Sequence, residues 1–151
     1  MTTIDDIISF IAKNQLIDST RIKPTSDLCR DLGIYGDDFF ELIEEYEKIF
    51  EVDMSRYLWY FHHQEEVSAG IGGLFFKPPY ERVNHIPVTP LVLLEAANRK
   101  SWHIEYPEHT LPPERYDMLI NRYIALFFLI LIVVIAIFKI CLTMGSSGSH
   151  R

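Results

Sequence analysis

The sequence predicts a mainly α-helical protein in which a small acidic domain precedes a single transmembrane helix. The first observation is an abrupt change of composition, since residues 123–144 read YIALFFLILIVVIAIFKICLTM, with Lys139 as the only charge. The second is the spacing of apolar residues before this segment, which recur every three or four positions, as on one face of an α-helix. The third is charge, because all 21 acidic residues precede the apolar run.

The apolar run has the length of a bilayer span. At 1.5 Å per residue, a helix over 123–144 is about 33 Å long, and the hydrocarbon core of a bilayer is about 30 Å thick. Between Ile124 and Phe138 no side chain is charged or carries an amide or hydroxyl group, whereas a buried helix of a soluble protein keeps a polar edge. Lys139 lies near one end, where its long side chain can reach the headgroups. The sequence therefore predicts a membrane anchor.

This anchor sets the expected domain boundaries. We predict an acidic helical domain over 1–108, a juxtamembrane helix over 109–122, a transmembrane helix over 123–144 and a short polar tail over 145–151. The Lys and Arg residues on the two sides do not decide the orientation. A short polar tail is the easier side to translocate, so we expect a single-pass protein whose N-terminal domain is cytoplasmic.

Charge limits the classes of partner. Residues 1–121 contain all 21 acidic residues and 11 of the 14 Lys and Arg, a net charge of −10. Phosphate-backbone binding requires clustered basic residues, so nucleic acid is not an expected partner. Anionic lipid would repel the same domain, which favours a protein partner with a basic surface. Cys29 and Cys141 form no disulfide framework, and reduced thiols are expected.

Capping residues and apolar spacing predict the helices of the acidic domain. Thr3 caps a first helix that ends near Asn14. A second helix begins between Gly36 and Asp38 and ends near Phe50, with the apolar stripe Phe39, Ile43, Tyr46 and Phe50, which Leu42 and Ile49 widen.

The remaining elements are punctuated by serine, threonine, glycine and proline. Ser55 opens a short third helix through the aromatic run Tyr57–Phe61. Glycine and proline make 68–87 a loop, or a small hairpin around Leu74–Phe76. Thr89 and Pro90 begin a further helix. The segment PERYDMLINRY after Pro112 can continue without a break into the anchor.

The segment DLGIYGDDFFELIEEYEKIFEVDM, from Asp31 to Met54, resembles the centre of an acyl carrier protein, where a DLG-x-DSL-D-x-VEL pattern leads into an acidic helix. The residues in register are Asp31, Leu32, Gly33, Asp38, Glu41, Leu42, Glu47 and Phe50. The resemblance covers about residues 3–100, apart from the inserted loop, and is strongest to uncharacterised bacterial acyl-carrier-like proteins. It implies an acyl-carrier-like four-helix bundle with an inserted loop, and localisation at the bacterial inner membrane.

The sequence departs from the carrier pattern at the position that carries the chemistry. Carriers attach phosphopantetheine to the serine of Asp-Ser-Leu, and here those positions are Tyr35, Gly36 and Asp37. Gly36 replaces the carrier serine and has no hydroxyl group to form the phosphodiester. The resemblance therefore implies a non-catalytic protein without a cofactor.

The carrier resemblance also implies a recognition surface. In carriers the acidic second helix docks on basic patches of partner enzymes, and the matching residues here are Asp37, Asp38, Glu41, Glu44 and Glu45. Residues 31–53 contain nine acids and one base, Lys48. Charge of this kind steers association and selects partners. We therefore expect these five residues to bind a partner protein, for example a membrane enzyme, which the anchored domain recruits or regulates.

Three other readings remain open at the level of sequence. The chain could be an atypical acyl carrier with another attachment point, or a lipid-binding module of lipid or envelope metabolism. It could also be a small structural subunit of a membrane complex, with Tyr57–Phe61 and Leu74–Phe76 as contacts. The neighbouring His62 and His63 do not predict a metal site, because consecutive residues on a helix point about 100° apart.

Overall fold

The computed structural model describes residues 1–66 and 70–146, and the side chains of that range as far as Lys139. Within these residues the protein is mainly helical, with five α-helices and no β-strand. This confirms the predicted helical class. The helices are α1 (Ile4–Gln15), α2 (Gly36–Phe50), α3 (Gly70–Phe75), α4 (Pro90–Arg99) and α5 (Tyr116–Ser146).

The starts of α1 and α4 follow from their capping residues. The Thr3 hydroxyl accepts a hydrogen bond from the Asp6 backbone N–H, and the Asp6 carboxylate accepts one from the Thr3 backbone N–H at 2.8 Å. This reciprocal pair satisfies donors that the first turn leaves without helical partners. At α4 the Thr89 hydroxyl accepts from the Val92 backbone N–H, and Pro90 occupies the first turn, where no N–H is needed. Both predicted starts are confirmed.

Helix α2 has the predicted apolar stripe. Phe39, Leu42, Ile43 and Tyr46 are buried, and they lie on one face at helical spacing. The helix ends at Glu51, which adopts a left-handed conformation with φ of 50°. The predicted helix over this segment is confirmed, and its polar side remains at the surface.

The core joins α1, α2 and α4. Ile7 and Ile11 of α1 and Leu93 of α4 are buried together with the α2 stripe in one apolar cluster. The Tyr46 hydroxyl lies inside this cluster and donates a hydrogen bond of 2.6 Å to the Leu93 carbonyl. Because the phenol is buried and bonded, α2 is fixed to α4 by a directional contact as well as by apolar packing.

Two of the predicted elements are wrong. The run after Ser55 forms only a single 3₁₀ turn, Trp59–Phe61, instead of a short α-helix. The region predicted as a loop or hairpin around Leu74–Phe76 contains helix α3. Glycine in α3 permits a close backbone approach to α5, which outweighs its low helix propensity.

The chain forms two compact units. Unit 1 comprises Met1–Ser68 and Pro79–Leu111, and unit 2 comprises Ala69–Pro78 and Pro112–Arg151. Unit 1 contains α1, α2 and α4, and unit 2 contains α3 and α5.

Helix α5 is one continuous helix through the apolar segment, and it begins at Tyr116. Its section Tyr116–Lys139 has 24 residues and contains an apolar stretch of 18 residues of which none is buried. By length and composition, this section could cross a membrane. The structure thus contains a candidate transmembrane helix. The predicted tail over 145–151 lies outside the described residues beyond Ser146.

Candidate functional site

The acidic face is the surface of α2 formed by Asp37, Asp38, Glu41, Glu44 and Glu45, and all five side chains are exposed. At 100° per residue, these positions fall within an arc of about 120° around the helix axis. The buried stripe of α2 occupies the other side of the same helix. The sequence therefore folds into a helix that presents five carboxylates in one direction.

Helix α1 supports one edge of the acidic face. The Asn14 side-chain amide donates a hydrogen bond of 2.7 Å to the Glu45 carboxylate. The Gln15 amide donates one of 3.2 Å to the Asp38 backbone carbonyl. These contacts join the end of α1 to the first three turns of α2, so the carboxylates stand on a supported helix and not on a loop. A rigid base lowers the entropy cost of docking a partner.

Little of the negative charge is neutralised within the protein. Lys48 lies 3.7 Å from Glu44, and both side chains are about 70% exposed, so the pair is well solvated and weak. Over the ranges 1–66 and 70–146, Asp37, Asp38 and Glu41 form no ion pair. Asp37 and Asp38 also lie in the first turn of α2, where the positive end of the helix dipole stabilises them.

Apolar side chains border the acidic face on both sides. Phe40 is 38% exposed and Ile49 is 59% exposed, and at 100° per residue they flank the carboxylates on opposite edges. Phe40 is held by Trp59, with ring centroids 5.8 Å apart, and by His63 at 4.7 Å. A fixed exposed aromatic ring beside charged groups is typical of protein-binding surfaces. The sequence analysis did not single out Phe40, and it placed Ile49 at the edge of the apolar stripe, whereas the structure leaves Ile49 exposed.

The first turn of α2 has no room for a side chain at residue 36. Gly36 has φ of +59°, and its backbone N–H donates a hydrogen bond of 2.9 Å to the Gln64 carbonyl. A Cβ atom on Gly36 would lie 1.9 Å from Glu66 Cγ and 2.9 Å from Glu66 Cβ. The Glu66 side chain thus fills the space beside the start of α2.

His62 is a buried member of a hydrogen-bond network in unit 1. Its Nδ1 lies 2.8 Å from the Ile86 carbonyl and its Nε2 lies 2.8 Å from the Tyr106 hydroxyl. That hydroxyl oxygen accepts from Trp102 Nε1 at 2.7 Å and from the Leu58 backbone N–H at 3.1 Å. The Tyr106 proton is therefore available to His62 Nε2, and the His62 proton lies on Nδ1. Both ring nitrogens are used, and burial lowers the pKa of His62 to about 4.

His63 contacts the underside of α2. Its ring stacks on Phe39 with centroids 4.5 Å apart, and its Nδ1 lies 3.2 Å from the Gln64 carbonyl. Its Nε2 is buried without a hydrogen-bond partner among the described residues. Burial lowers the pKa of His63 to about 4, so the ring is neutral at physiological pH. His62 and His63 are thus uncharged, and they pack against aromatic rings, His62 on Tyr57 and His63 on Phe39 of α2.

A small polar cavity of about 160 Å³ lies beside His63 and includes Cys29 and His85 in its lining. His85 Nε2 is 2.6 Å from Asp27 Oδ2, and Asp27 Oδ1 accepts a hydrogen bond from the Cys29 backbone N–H. Burial raises the pKa of the Cys29 thiol. A raised pKa keeps more of the thiol protonated, and a protonated thiol is a poor nucleophile. In the parts of the chain that are described, no three His, Cys, Asp or Glu side chains are grouped to hold a metal ion.

Comparisons with known proteins identify no relative. No protein-family model matches the chain, and no curated protein or solved structure is significantly similar to it. The functional argument therefore depends on the geometry of the site.

The structure brings the five predicted carboxylates together on one helix. It adds two features that the sequence analysis missed, the flanking apolar side chains and the position of Glu66. Glu66 lies 30 residues beyond Gly36 in the sequence, and no local pattern signals that the two positions meet. The candidate site is thus the acidic face of α2, and the Glu66 side chain fills the space beside the first residue of that helix.

Proposed function

We propose that this protein is a non-catalytic, membrane-anchored adaptor that binds a partner protein with a basic surface through the acidic face, and that recruits or regulates this partner. The observation that supports it is the set of five exposed carboxylates on one face of a helix whose opposite face is buried. Exposed charge on a supported helix increases the rate of encounter with an oppositely charged surface and selects among partners.

The apolar border of the acidic face supplies a second element of the proposed surface. Charge contributes mainly to steering and specificity, whereas buried aromatic and aliphatic side chains contribute more of the affinity. Phe40 and Ile49 lie at the two edges of the carboxylates and are 38% and 59% exposed. We propose that a partner covers at least Phe40, because that ring is already fixed by Trp59 and loses little freedom on binding.

The proposed domain has an acyl-carrier-like bundle but no carrier chemistry. The resemblance from Asp31 to Met54 suggests the bundle, and Gly36 provides no hydroxyl group for a prosthetic arm. The Glu66 side chain lies where an arm would begin. Loss of the attachment point with retention of the acidic helix supports a protein that keeps partner recognition without acyl transfer.

Membrane anchoring would raise the effective concentration of the acidic face near partner proteins in the same bilayer. Helix α5 has a section of the length and composition of a span, and anchoring confines a binding surface close to partners in the same bilayer. We further propose that the protein is a single-pass component of the bacterial inner membrane, with its N-terminal domain in the cytoplasm and a membrane enzyme as its partner.

A charge-reversal pull-down tests this proposal. The variant Glu41→Lys, Glu44→Lys, Glu45→Lys reverses the central charge of the acidic face. The matched control Glu81→Lys, Glu105→Lys, Glu108→Lys makes the same change of charge at three exposed acids of unit 1 outside α2. Both full-length variants are captured from membranes in mild detergent after circular dichroism has shown native helix content.

The two variants are expected to behave differently. The control should retain the proteins that accompany the wild type, and the acidic-face variant should lose them. An unchanged set of proteins with the acidic-face variant would refute the docking role of this surface. Intact-mass measurement after co-expression with a phosphopantetheinyl transferase checks the carrier alternative, because an added mass equal to that of the prosthetic arm would contradict a non-catalytic adaptor.

A further inference from the structure

Helix α3 exposes large apolar side chains at the surface of unit 2. Leu74 is 82% exposed, Phe75 is 71% exposed and Ile71 is 50% exposed. These three residues lie at i, i+3 and i+4 of the same helix, a spacing that places their side chains on one face. A soluble protein rarely leaves such side chains together in water, and an exposed apolar patch marks an interaction surface.

The opposite side of α3 packs tightly on the start of α5. A Cβ atom on Gly72 would lie 2.0 Å from the Asp117 carbonyl oxygen, so only glycine permits this approach. The Gly72 backbone N–H donates a hydrogen bond of 2.7 Å to Asn121 Oδ1. Gly70 also approaches the Asn121 side chain, at 2.9 Å from the corresponding Cβ position. Helix α3 is therefore fixed to α5 by backbone contact and by a hydrogen bond.

On α5 the partly covered residues follow helical spacing. Asp117 is buried, and Leu119, Ile120, Asn121 and Ile124 are partly buried, whereas Met118, Arg122 and Tyr123 are exposed. Asp117, Ile120, Asn121 and Ile124 correspond to i, i+3, i+4 and i+7, which form one stripe on a helix. Seven residues of helix extend over about 10 Å. Helix α3 thus accompanies the first two turns of the candidate span.

The length of the apolar segment locates this contact relative to a bilayer. A hydrocarbon core of about 30 Å requires about 20 helical residues. A span that ends at Lys139 therefore starts near Ile120, and one over 123–144 starts at Tyr123. Headgroups add about 5–8 Å on each side of the core. In both registers the contact between α3 and α5 overlaps the headgroup layer.

We propose that α3 is an interfacial helix that inserts Ile71, Leu74 and Phe75 into the lipid surface beside α5. This inference rests on the membrane anchoring proposed above. Helix α3 packs on α5 through the hydrogen bond between Gly72 and Asn121, and α5 exposes large apolar side chains further along, such as Tyr123, Leu126 and Phe127. An apolar surface held against a candidate span favours lipid over a separate protein as its occupant. Aromatic residues mark the same level, since Phe76 and Tyr116 lie with ring centroids 5.5 Å apart and Tyr123 is 67% exposed.

The packing of α3 on α5 also gives the polar side chains near the membrane boundary a protein environment. Asp117 and Asn121 lie on the side of α5 that α3 covers, and the Asp117 carboxylate accepts hydrogen bonds from Arg115 at 3.0 and 2.7 Å. Asn121 accepts from the Gly72 backbone. Polar groups without partners are costly in lipid. Helix α3 therefore shields two polar side chains of α5 while presenting apolar side chains outward.

Lipid photo-crosslinking of the full-length protein tests the proposal. The photoreactive residue p-benzoylphenylalanine replaces Leu74 or Phe75 in protein reconstituted into phosphatidylcholine and phosphatidylglycerol vesicles. The same residue in place of Ile132 reports the span, and in place of Leu16, which is 92% exposed in unit 1, it reports an aqueous position. Adducts are read by intact-mass spectrometry as the added mass of one phospholipid.

The result separates the two proposals. Lipid adducts at Leu74, Phe75 and Ile132, with none at Leu16, are expected. Adducts at Ile132 alone would overturn the interfacial role of α3 and leave the anchor intact. Protein–protein adducts at Leu74 and Phe75 in place of lipid adducts would overturn it in favour of a protein partner. Absence of lipid adducts at Ile132 as well would overturn the membrane anchor and this inference together.

Discussion

Glu66 occupies the space that a side chain at Gly36 would need, with Glu66 Cγ 1.9 Å from the position of a Cβ atom on Gly36. The contact lies at the first residue of α2, where Gly36 has φ of +59°. A side chain at residue 36 is therefore disfavoured both by the backbone conformation and by packing.

Replacement of Gly36 tests the separation of these two effects. Gly36→Ala should lower the free energy of unfolding by about 2–5 kcal/mol, because a left-handed residue other than glycine costs about 1–2 kcal/mol and overpacking adds about 1–3 kcal/mol. Chemical denaturation of the full-length protein in detergent, followed by circular dichroism, measures the change.

Gly33 provides the matched control for that substitution. Its φ is +73°, and no atom lies within 4 Å of its Cβ position. Gly33→Ala should therefore cost only the conformational part, about 1–2 kcal/mol. The double variant Gly36→Ala, Glu66→Ala should recover part of the overpacking cost, because it removes Glu66 Cγ at 1.9 Å and keeps Glu66 Cβ at 2.9 Å. If Gly33→Ala and Gly36→Ala lower the free energy of unfolding equally, the Glu66 side chain moves aside at no energetic cost, and the packing argument is wrong.

Protonation of His63 should destabilise unit 1 in mild acid. Burial lowers the folded pKa of His63 to about 4 from 6.5, so between pH 6.5 and 4 the unfolded chain binds a proton that the folded chain does not. The stability from this group is present above pH 6.5, falls with pH and levels off below pH 4. The difference corresponds to about 3 kcal/mol at 1.36 kcal/mol per pKa unit.

The substitution His63→Phe isolates this effect. Phenylalanine can keep the stack on Phe39, and it removes an Nε2 atom that is buried without a partner. The free energy of unfolding of the variant should fall less than that of the wild type from pH 7 to pH 4, by an amount approaching 3 kcal/mol. All carboxylates titrate in both proteins, so their contribution cancels in the difference. Identical pH profiles would contradict a neutral buried His63.

Gly72→Ala should separate α3 from α5. Its Cβ atom would lie 2.0 Å from a backbone oxygen of Asp117, which cannot rotate away as a side chain can. We expect amide hydrogen exchange in residues 70–75 to increase by at least tenfold, because this fold-change corresponds to about 1.4 kcal/mol of lost protection. Gly33→Ala, in unit 1 and with no atom within 4 Å of its Cβ position, serves as the control and should leave exchange in α3 close to the wild-type rate. Unchanged exchange in Gly72→Ala would contradict the close packing.

Charges in the middle of α5 should prevent membrane integration. Each arginine at the centre of a span costs about 3 kcal/mol on the insertion scale, so Ile130→Arg, Val134→Arg costs about 6 kcal/mol and loses the contribution of two apolar side chains. Carbonate extraction of membranes measures the integrated fraction. The conservative variant Ile130→Leu, Val134→Leu should remain in the membrane pellet with the wild type. Integration of the arginine variant would contradict the anchor.

Local signals were sufficient for three helices of unit 1. Thr3 with Asp6, and Thr89 with Pro90, define helix starts through contacts within three residues. The stripe from Phe39 to Tyr46 defines α2 through its period alone. Each of these features is encoded within a single turn or a single helix, so the sequence predicts them without knowledge of the tertiary structure.

Tertiary contacts explain the elements that the sequence did not predict. Gly72 reads as a loop residue, yet it enters α3 because it meets Asp117, which is 45 positions later in the chain. The aromatic run before Phe61 forms a single turn because its rings pack among residues from several segments, including Tyr106 at 4.8 Å. The carboxylates of the acidic face were predicted from α2 alone, whereas the contact between Glu66 and Gly36 needs the folded chain.

The assembly of unit 2 from two distant stretches of sequence has a practical consequence for protein production. A shortened chain that stops at Leu111 would retain Ala69–Pro78 and lack the helix on which that stretch packs. The fragment would then keep the exposed apolar side chains of Ile71, Leu74 and Phe75 without the candidate transmembrane helix. Aggregation of such a fragment would be caused by these exposed apolar residues. The truncated chain should therefore carry a short polar linker in place of residues 70–76.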